Sequence, residues 1–294
     1  MGELRTMSPA LRQASTDAPL SPVILVKGAG EMASAVAWRL HMAHLRRICM
    51  LDLENPLCVR RTVSFCTALE SGAASVEGVR ARAARTREEI ERAWRVREIA
   101  VVRTGDWARI AGLAPEVVVD AILAKRNTGT RKDNAPMVIA LGPGFVAGAD
   151  CHLVVETNRG HDLGRIIVSG SAAPNTGVPG EIAGHAADRV LRAPAAGAFE
   201  TDRAIGDLVH AQEVIGRVAG QPVKAGIDGV LRGLIRAGTA VVPGLKIGDI
   251  DPRGRREYCD TISDKARAIA GAVLEAVMRH CNDVRVESPA TLRC

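Results

Sequence analysis

Val23-Ile24-Leu25-Val26-Lys27-Gly28-Ala29-Gly30-Glu31-Met32-Ala33 carries the decisive signal. A short apolar run ending in glycine reads as a strand buried on both faces of a parallel sheet. Ala33 to Leu45 then continues with helical periodicity, and Ile48 to Leu53 is again apolar apart from Asp52, with Glu54 just beyond. Strand, Gly-rich turn, helix and strand make one βαβ unit. Further runs at Ile99–Val102, Val117–Ala121, Met137–Leu141, Leu153–Val155 and Ile166–Val168 extend the sheet. Helices fit the gaps near 57–70, 87–95 and 105–111. These runs predict a Rossmann-like, doubly wound parallel α/β sheet over residues 21–188, after a flexible tail at 1–20.

From Arg189 the texture changes to evenly spaced glycines and very short apolar runs. Residues 192–218 align without a gap on 224–250 at a constant offset of 32: Gly197 meets Gly229, Gly206 meets Gly238, and Ile215 meets Ile247. Two such copies predict a pseudo-twofold β-sandwich over 189–252, since neither half buries its apolar face alone. The pattern resembles the barrel-sandwich hybrid of lipoyl and biotinyl carrier domains. Its connecting hairpin, Ala219-Gly220-Gln221-Pro222-Val223-Lys224, has no Lys at the tip, which argues against a carrier role. Residues 253–294 resume as a helix from Ser263 to about His280, apolar at Ile269, Val273, Leu274 and Val277. That helix is expected to pack back on the first domain, which makes the β module an insertion before it.

With 294 residues, 47% hydrophobic and 24% charged, the chain is long enough for an ordinary core and too apolar for wholesale disorder. The net charge of +6 is dispersed, and the arginines of 80–97 are accompanied by Glu88, Glu89 and Glu91. Three Trp, three Phe and one Tyr offer almost no stacking platform, so nucleic acid is not expected as a partner. No apolar stretch reaches membrane-spanning length, and 1–20 has no unbroken apolar segment of the signal-peptide kind. Seven scattered cysteines without a CxxC pair fit reduced thiols and a cytoplasmic location.

Gly28-Ala29-Gly30-Glu31-Met32-Ala33 matches the dinucleotide fingerprint in its Gly-x-Gly-x-x-Ala form. Gly28 permits the tight turn, Gly30 lets a phosphate approach the backbone, and Ala33 allows close helix–strand packing. The following helix points free N–H groups at the phosphate. Asp52, 22 residues after Gly30, stands where an acid usually holds a ribose hydroxyl. The alternative is a Gly turn that only packs the βαβ unit. Lys27, Arg60 and Arg61 read as surface charge rather than as a 2′-phosphate site. Gly142 and Gly144, in Leu141-Gly142-Pro143-Gly144-Phe145, also follow a strand, as do Lys125, Arg126 and Asn127. These are either strand-end turns or parts of one anion-accepting crevice. Asn158, Arg159, His161 and Asp162 form the densest polar segment. His161, with Asp162, is a candidate general base, against a loop whose residues merely cap one another. Cys259, near the Ser263 helix N-cap, is the candidate sulfur or selenium nucleophile, with a structural thiol as the alternative. Cys151, His152 and His161 lack metal-ligand spacing, so no metal is expected.

Several of these segments together resemble the YqeB family, accessory factors of selenium-dependent molybdenum hydroxylases. The resemblance spans about residues 22–280 and is carried by Lys27–Gly30, Val59–Phe65, Ala124–Asn127, Leu141–Phe145 and Val155–Gly164. It continues through Pro174–Gly180, Lys246–Arg253 and Ile262–Ala266. The first helix departs from the family pattern, with Glu31-Met32-Ala33-Ser34 where Asp-Leu-Ala-Thr/Ser is common. The resemblance implies work on the molybdenum cofactor, with a molybdenum hydroxylase client resembling xanthine dehydrogenase. It implies a molybdopterin nucleotide as ligand and installation of selenium or sulfur as the task. The fingerprint by itself also suits NAD(P) and an ordinary oxidoreductase. A homo-oligomer is left open.

Overall fold

β1 (Ile24–Lys27) lies in the middle of the largest sheet, where Ile24, Leu25 and Val26 are buried on both faces. The computed structural model describes residues 21–110, 112–177 and 179–287. The expected tail at 1–20 and the last residues, 288–294, lie outside them. After β1 come α1 (Glu31–Met42), β2 (Ile48–Asp52), α2 (Ala68–Ser71), β3 (Ala73–Val76), β4 (Val79–Ala83) and α3 (Arg87–Arg95). Then follow β5 (Ile99–Arg103), α4 (Thr104–Trp107), β6 (Val117–Asp120), β7 (Met137–Leu141), β8 (Leu153–Val155) and β9 (Ile166–Ile167). Their order across the nine-stranded sheet is β3-β4-β5-β2-β1-β6-β7-β8-β9. The strands from β4 to β8 in that order are parallel, and β3 and β9 close the edges antiparallel. The chain therefore leaves β1 in both directions, and the order reverses between β1 and β6. Alternation divides the core: Ile24, Val26, Ile48 and Met50 face one helical layer, while Leu25, Cys49 and Leu51 face the other.

The helix expected at 57–70 does not form. Its place is taken by 3-10 turns at Arg61–Val63 and Phe65–Thr67 and by the single turn α2. Val59, Thr62 and Val63 are poor helix formers, and Val59, Arg60 and Arg61 take partners far along the chain. Arg60 Nη2 donates to the carbonyls of Tyr258, Cys259 and Thr261 at 3.0, 3.3 and 3.1 Å. Arg61 Nε donates to Leu234 O at 2.9 Å, and Leu234 N donates to Val59 O at 2.8 Å. An α-helix would turn these successive residues about 100° apart and break the set. Arg60 is thus not the surface charge the sequence suggested; it is 4% exposed and staples the large sheet to the chain beyond the β strands that follow.

Those strands are β10 (Val190–Arg192), β11 (Gly197–Glu200), β12 (Leu208–Val209), β13 (Val214–Val218), β14 (Gln221–Lys224), β15 (Gly229–Leu234), β16 (Ala240–Val241) and β17 (Lys246–Asp251). They form two four-stranded antiparallel sheets, β10-β17-β15-β12 and β14-β13-β11-β16. The 32-residue repeat maps β10 on β14, β11 on β15, β12 on β16 and β13 on β17. Applied to the first sheet, that mapping generates the order of the second. Matched glycines share their backbone as well: Gly197 has φ +151° and Gly229 φ +156°. Phe199, Ile215, Leu231 and Ile250 fill the space between the sheets, each contributing about 1.5–3 kcal/mol of burial.

The last helix, α5 (Asp264–Glu287), returns to the first sheet and packs on α1 through Ile269, Val273 and Val277. The protein is a mixed α/β fold with one large mixed sheet and two smaller antiparallel ones. Among the described residues no helix is long and apolar enough to cross a membrane.

Candidate functional site

Parallel strands place their C-terminal ends on one side of a sheet, and the reversal between β1 and β6 opens a crevice there. The Gly28–Ala33 turn forms its floor. Gly28 has φ +95°, and a Cβ on it would stand 3.0 Å from Ala121 O after β6. Its N–H donates to Leu51 O at 2.7 Å, so the turn is wedged between the ends of β2 and β6. Gly30 differs. Its φ of −73° suits any residue, no atom lies within 4 Å of a Cβ built on it, and no side chain caps α1. The helix N-terminus therefore opens on free space. Ala33 is fully buried against the sheet, and Ser34 braces the turn by donating from Oγ to Ala29 O at 2.9 Å.

Asp52 joins the turn. Its two carboxylate oxygens accept the N–H groups of Ala29 and Leu53, both at 2.8 Å. Burial pushes its pKa up, against the opposing pull of those two bonds. Glu31, the first residue of α1, accepts from Ser263 Oγ at 3.0 Å and lies 3.7 Å from Arg60 Nη1. Nε and Nη1 of Arg60 are buried without a hydrogen-bond partner among the described residues. Arg60 thus answers the charge of Glu31, and the uncapped start of α1 beside them is the chemistry of an anion site. Beside Asp52, a cavity of about 810 Å³ is lined by Glu54, Arg87, Arg103, Asp106 and Arg109.

The other strand ends complete the rim. Lys125 and Arg126 are exposed after β6. Gly144, at φ +105°, brings the loop after β7 against them: a Cβ there would lie 2.5 Å from Arg126 Cα and 2.6 Å from its N. A Cβ on Gly142, at φ +78°, would likewise lie 2.5 Å from Thr157 Oγ1. Gly144→Ala is expected to cost about 2 kcal/mol through overpacking and the left-handed backbone, read from the urea midpoint; an unchanged midpoint would mean that the two loops part freely. Arg159 makes a bidentate pair with Asp264 at 2.7 and 2.9 Å, tying the loop after β8 to the start of α5. Ser263 caps that helix through Ala266 N at 3.3 Å, as its sequence position predicts.

Not every expected residue joins the crevice chemistry. Asn127 spends its amide within its own loop, on Gly129 N, Thr130 N and Thr130 O. Asn158 is exposed, and its N–H serves the buried carboxylate of Glu156 at 2.6 Å. His161 is exposed without a hydrogen bond among the described residues, because Asp162 pairs instead with Arg165 at 3.2 Å. The expected His–Asp couple is therefore absent. Cys259 is corrected too: it is 2% exposed in a 3-10 turn, faces Leu231 O at 3.8 Å, and burial pushes its pKa up rather than down. Lys27 is not free surface charge, since its Nζ donates to Thr130 Oγ1 at 2.8 Å and Asn134 Oδ1 at 3.3 Å.

Lys265 was missed. It is half-buried, its ammonium group makes no hydrogen bond or ion pair among the described residues, and it feels Arg159, Glu31, Lys246 and Lys125 together. Burial first, then the neighbouring cations, lower its pKa. The segment Ile262-Ser263-Asp264-Lys265-Ala266 held the signal, but only the returning helix brings it to the strand ends.

No family model matches the chain. It is 50% identical over 256 residues to the Escherichia coli (strain K12) protein described as "Uncharacterized protein YqeB", an alignment covering 87% of this chain and 47% of that one. The chain thus spans about half the length of the curated relative it matches. Among solved structures, an aspartoacylase family protein from Mesorhizobium loti shares 13% identity, covering 79% of this chain and 85% of that chain at a TM-score of 0.24. A succinylglutamate desuccinylase/aspartoacylase from Rhodobacter sphaeroides shares 14% over 78% and 85% at 0.25, and TcdA (CsdL) 13% over 89% and 88% at 0.30. Likeness at these scores does not define the fold.

Proposed function

This chain belongs to the YqeB family, and from that premise we propose that it is an accessory factor of selenium-dependent molybdenum hydroxylases. It holds a molybdopterin nucleotide, or a related dinucleotide, at the strand-end crevice while the cofactor is matured for a xanthine-dehydrogenase-like client. The observation that carries the proposal is the Gly30 turn: an uncapped helix start over open space. Phosphate would sit at the α1 N-terminus, a ribose hydroxyl on Asp52, and the base toward the cavity beside β2. Lys125, Arg126, Arg159 and Lys265 suit the remaining charge of a polyanion. When bound, such a pterin would supply the metal chemistry of the client; the residues here hold and orient it.

The domain reading follows the same line. Residues 21–188 are a Rossmann-like unit, a description favoured by the strand order and its reversal at β1 and β6. Residues 189–252 are a barrel-sandwich-like module, favoured by the twofold relation between its sheets, and 253–287 return to the first unit. A cytoplasmic location and a hydroxylase partner belong to this proposal.

The alternative, an NAD(P)-dependent oxidoreductase, draws on Asp52 at the ribose position. It lacks an oriented acid or base, because His161 has no partner. NADH oxidation across a panel of small carbonyl compounds separates the two. The maturation role predicts no turnover, together with recovery of a molybdenum hydroxylase when the tagged full chain is isolated from its host. Turnover that disappears in Gly30→Asp would establish the oxidoreductase instead.

A further inference from the structure

The loop after β6 has a strained backbone. Leu123 and Lys125 adopt left-handed φ values of +58° and +60°, while Ile122, Ala124 and Arg126 keep negative φ. Side chains other than glycine, asparagine and aspartate disfavour the left-handed region, so two such residues in three positions are held there by their surroundings. Leu123 packs against the core beneath α1 and α5. On the other side, a Cβ at Gly144 would stand 2.8 Å from Lys125 C. Further along, the Asn127 amide donates to Thr130 O and accepts from Thr130 N, both at 2.8 Å. The Thr130 hydroxyl donates to buried Asp120 at 2.5 Å and accepts from Lys27 at 2.8 Å.

Alternating signs of φ turn successive N–H groups toward one side of the chain and form a concavity of positive partial charge. The N–H groups of Leu123, Ala124 and Lys125 have no acceptor among the described residues, and Ala124 and Lys125 are exposed. The side chains of Lys125 and Arg126 make no hydrogen bond or ion pair among the described residues either. We propose that this backbone concavity is a second oxyanion site, which takes a tetrahedral anion through the N–H groups of Leu123, Ala124 and Lys125. The side chains of Lys125 and Arg126 add charge, and the backbone supplies the geometry. The anion is a free oxyanion such as inorganic phosphate, or the phosphoryl group of a larger ligand. The loop leaves β6 beside the Gly28–Gly30 turn, since a Cβ on Gly28 would lie 3.3 Å from Ile122 Cα. The site is independent of the ligand held at the Gly30 turn.

The test titrates inorganic phosphate into the isotope-labelled full chain and follows its backbone amides by heteronuclear NMR. The expected result is that the amide protons of Leu123, Ala124 and Lys125 move downfield together. Two substitutions, each removing the ammonium, then separate backbone from charge. Lys125→Gly suits the left-handed region and is expected to keep these shifts and most of the affinity. Lys125→Val places a β-branched side chain where it is least tolerated and is expected to bind phosphate about 10-fold more weakly than Lys125→Gly. Repeating the titration with pyrophosphate identifies the source. One tighter affinity that also moves the amides of Glu31 and Met32 marks a single ligand spanning both sites, and an affinity like that of phosphate marks a free oxyanion. Amides at 123–125 that stay in place, or equal weakening in the two variants, would overturn the proposal. Movement at Glu31 and Met32 alone would overturn it too, while leaving the nucleotide site standing. The wild-type shifts decide even if Lys125→Val fails to fold.

Discussion

Gly30→Asp is expected to weaken nucleotide binding by about 30-fold or more while leaving the protein as stable as the wild type. The two halves of that statement rest on different physics. Gly30 has an ordinary backbone conformation and open space where its side chain would go, so neither strain nor overlap opposes substitution. It also occupies the N-cap of α1, where aspartate is among the favoured residues and changes stability by only a few tenths of a kcal/mol relative to glycine. The carboxylate, however, stands where a phosphate must approach. Like charges in contact cost about 2 kcal/mol or more, which is the 30-fold loss. Titration of each form with the ligand, beside thermal unfolding of both, reads the two quantities separately. Unchanged affinity at unchanged stability would remove the phosphate from this turn.

Asp249→Asn is the second large effect, and it concerns the β module. Asp249 is 1% exposed and is held by Arg189, by Arg232 through Nε at 3.0 Å and Nη2 at 2.5 Å, and by Lys246 at 3.1 Å. Burial alone would raise its pKa, but the charges of Lys246, Arg232 and Arg189 outweigh that and hold the carboxyl well below the ordinary range. Removing the negative charge leaves buried Arg189 without a carboxylate partner and Arg232 with Asp251 alone, at a cost of about 3–5 kcal/mol. For a chain of this size that corresponds to roughly 10 °C in Tm. Because the folded pKa is lowered, the stabilisation is fully present above the unfolded value near about 4 and is lost as pH falls through it toward the folded value. The wild type should therefore lose stability steeply below about pH 4, and the variant, already weaker at neutral pH, should lose less over that range. Equal acid sensitivity in the two proteins would show that Asp249 does not anchor the module.

Much of the scaffold is legible in local pattern. Residues 23–33 announce β1 and its turn because a strand buried on both faces has no polar alternation to hide it. The 32-residue repeat exposes the β module because each half must bury the same face in the other. Residues 57–70 misled, since their apolar spacing suits a helix. What decides them is a set of carbonyls at Leu234 and Tyr258–Thr261, nearly 200 residues away, that capture Arg60, Arg61 and Thr62. The site divides the same way. Gly28, Gly30 and Asp52 were readable from spacing. Lys265 and the Arg60–Glu31 pair were not, because only tertiary packing brings them to the turn. Adjacent letters misled at His161-Asp162, where the loop sends the aspartate to Arg165.

The central claim, a nucleotide at the Gly30 turn held for cofactor maturation, is tested most directly by native mass spectrometry. Wild-type and Gly30→Asp protein would be purified from cells supplied with molybdate and selenite. The predicted result is a retained mass matching a molybdopterin nucleotide on the wild type and bare protein for the variant. A retained NAD or NADP, or the same pterin mass on both proteins, would contradict it.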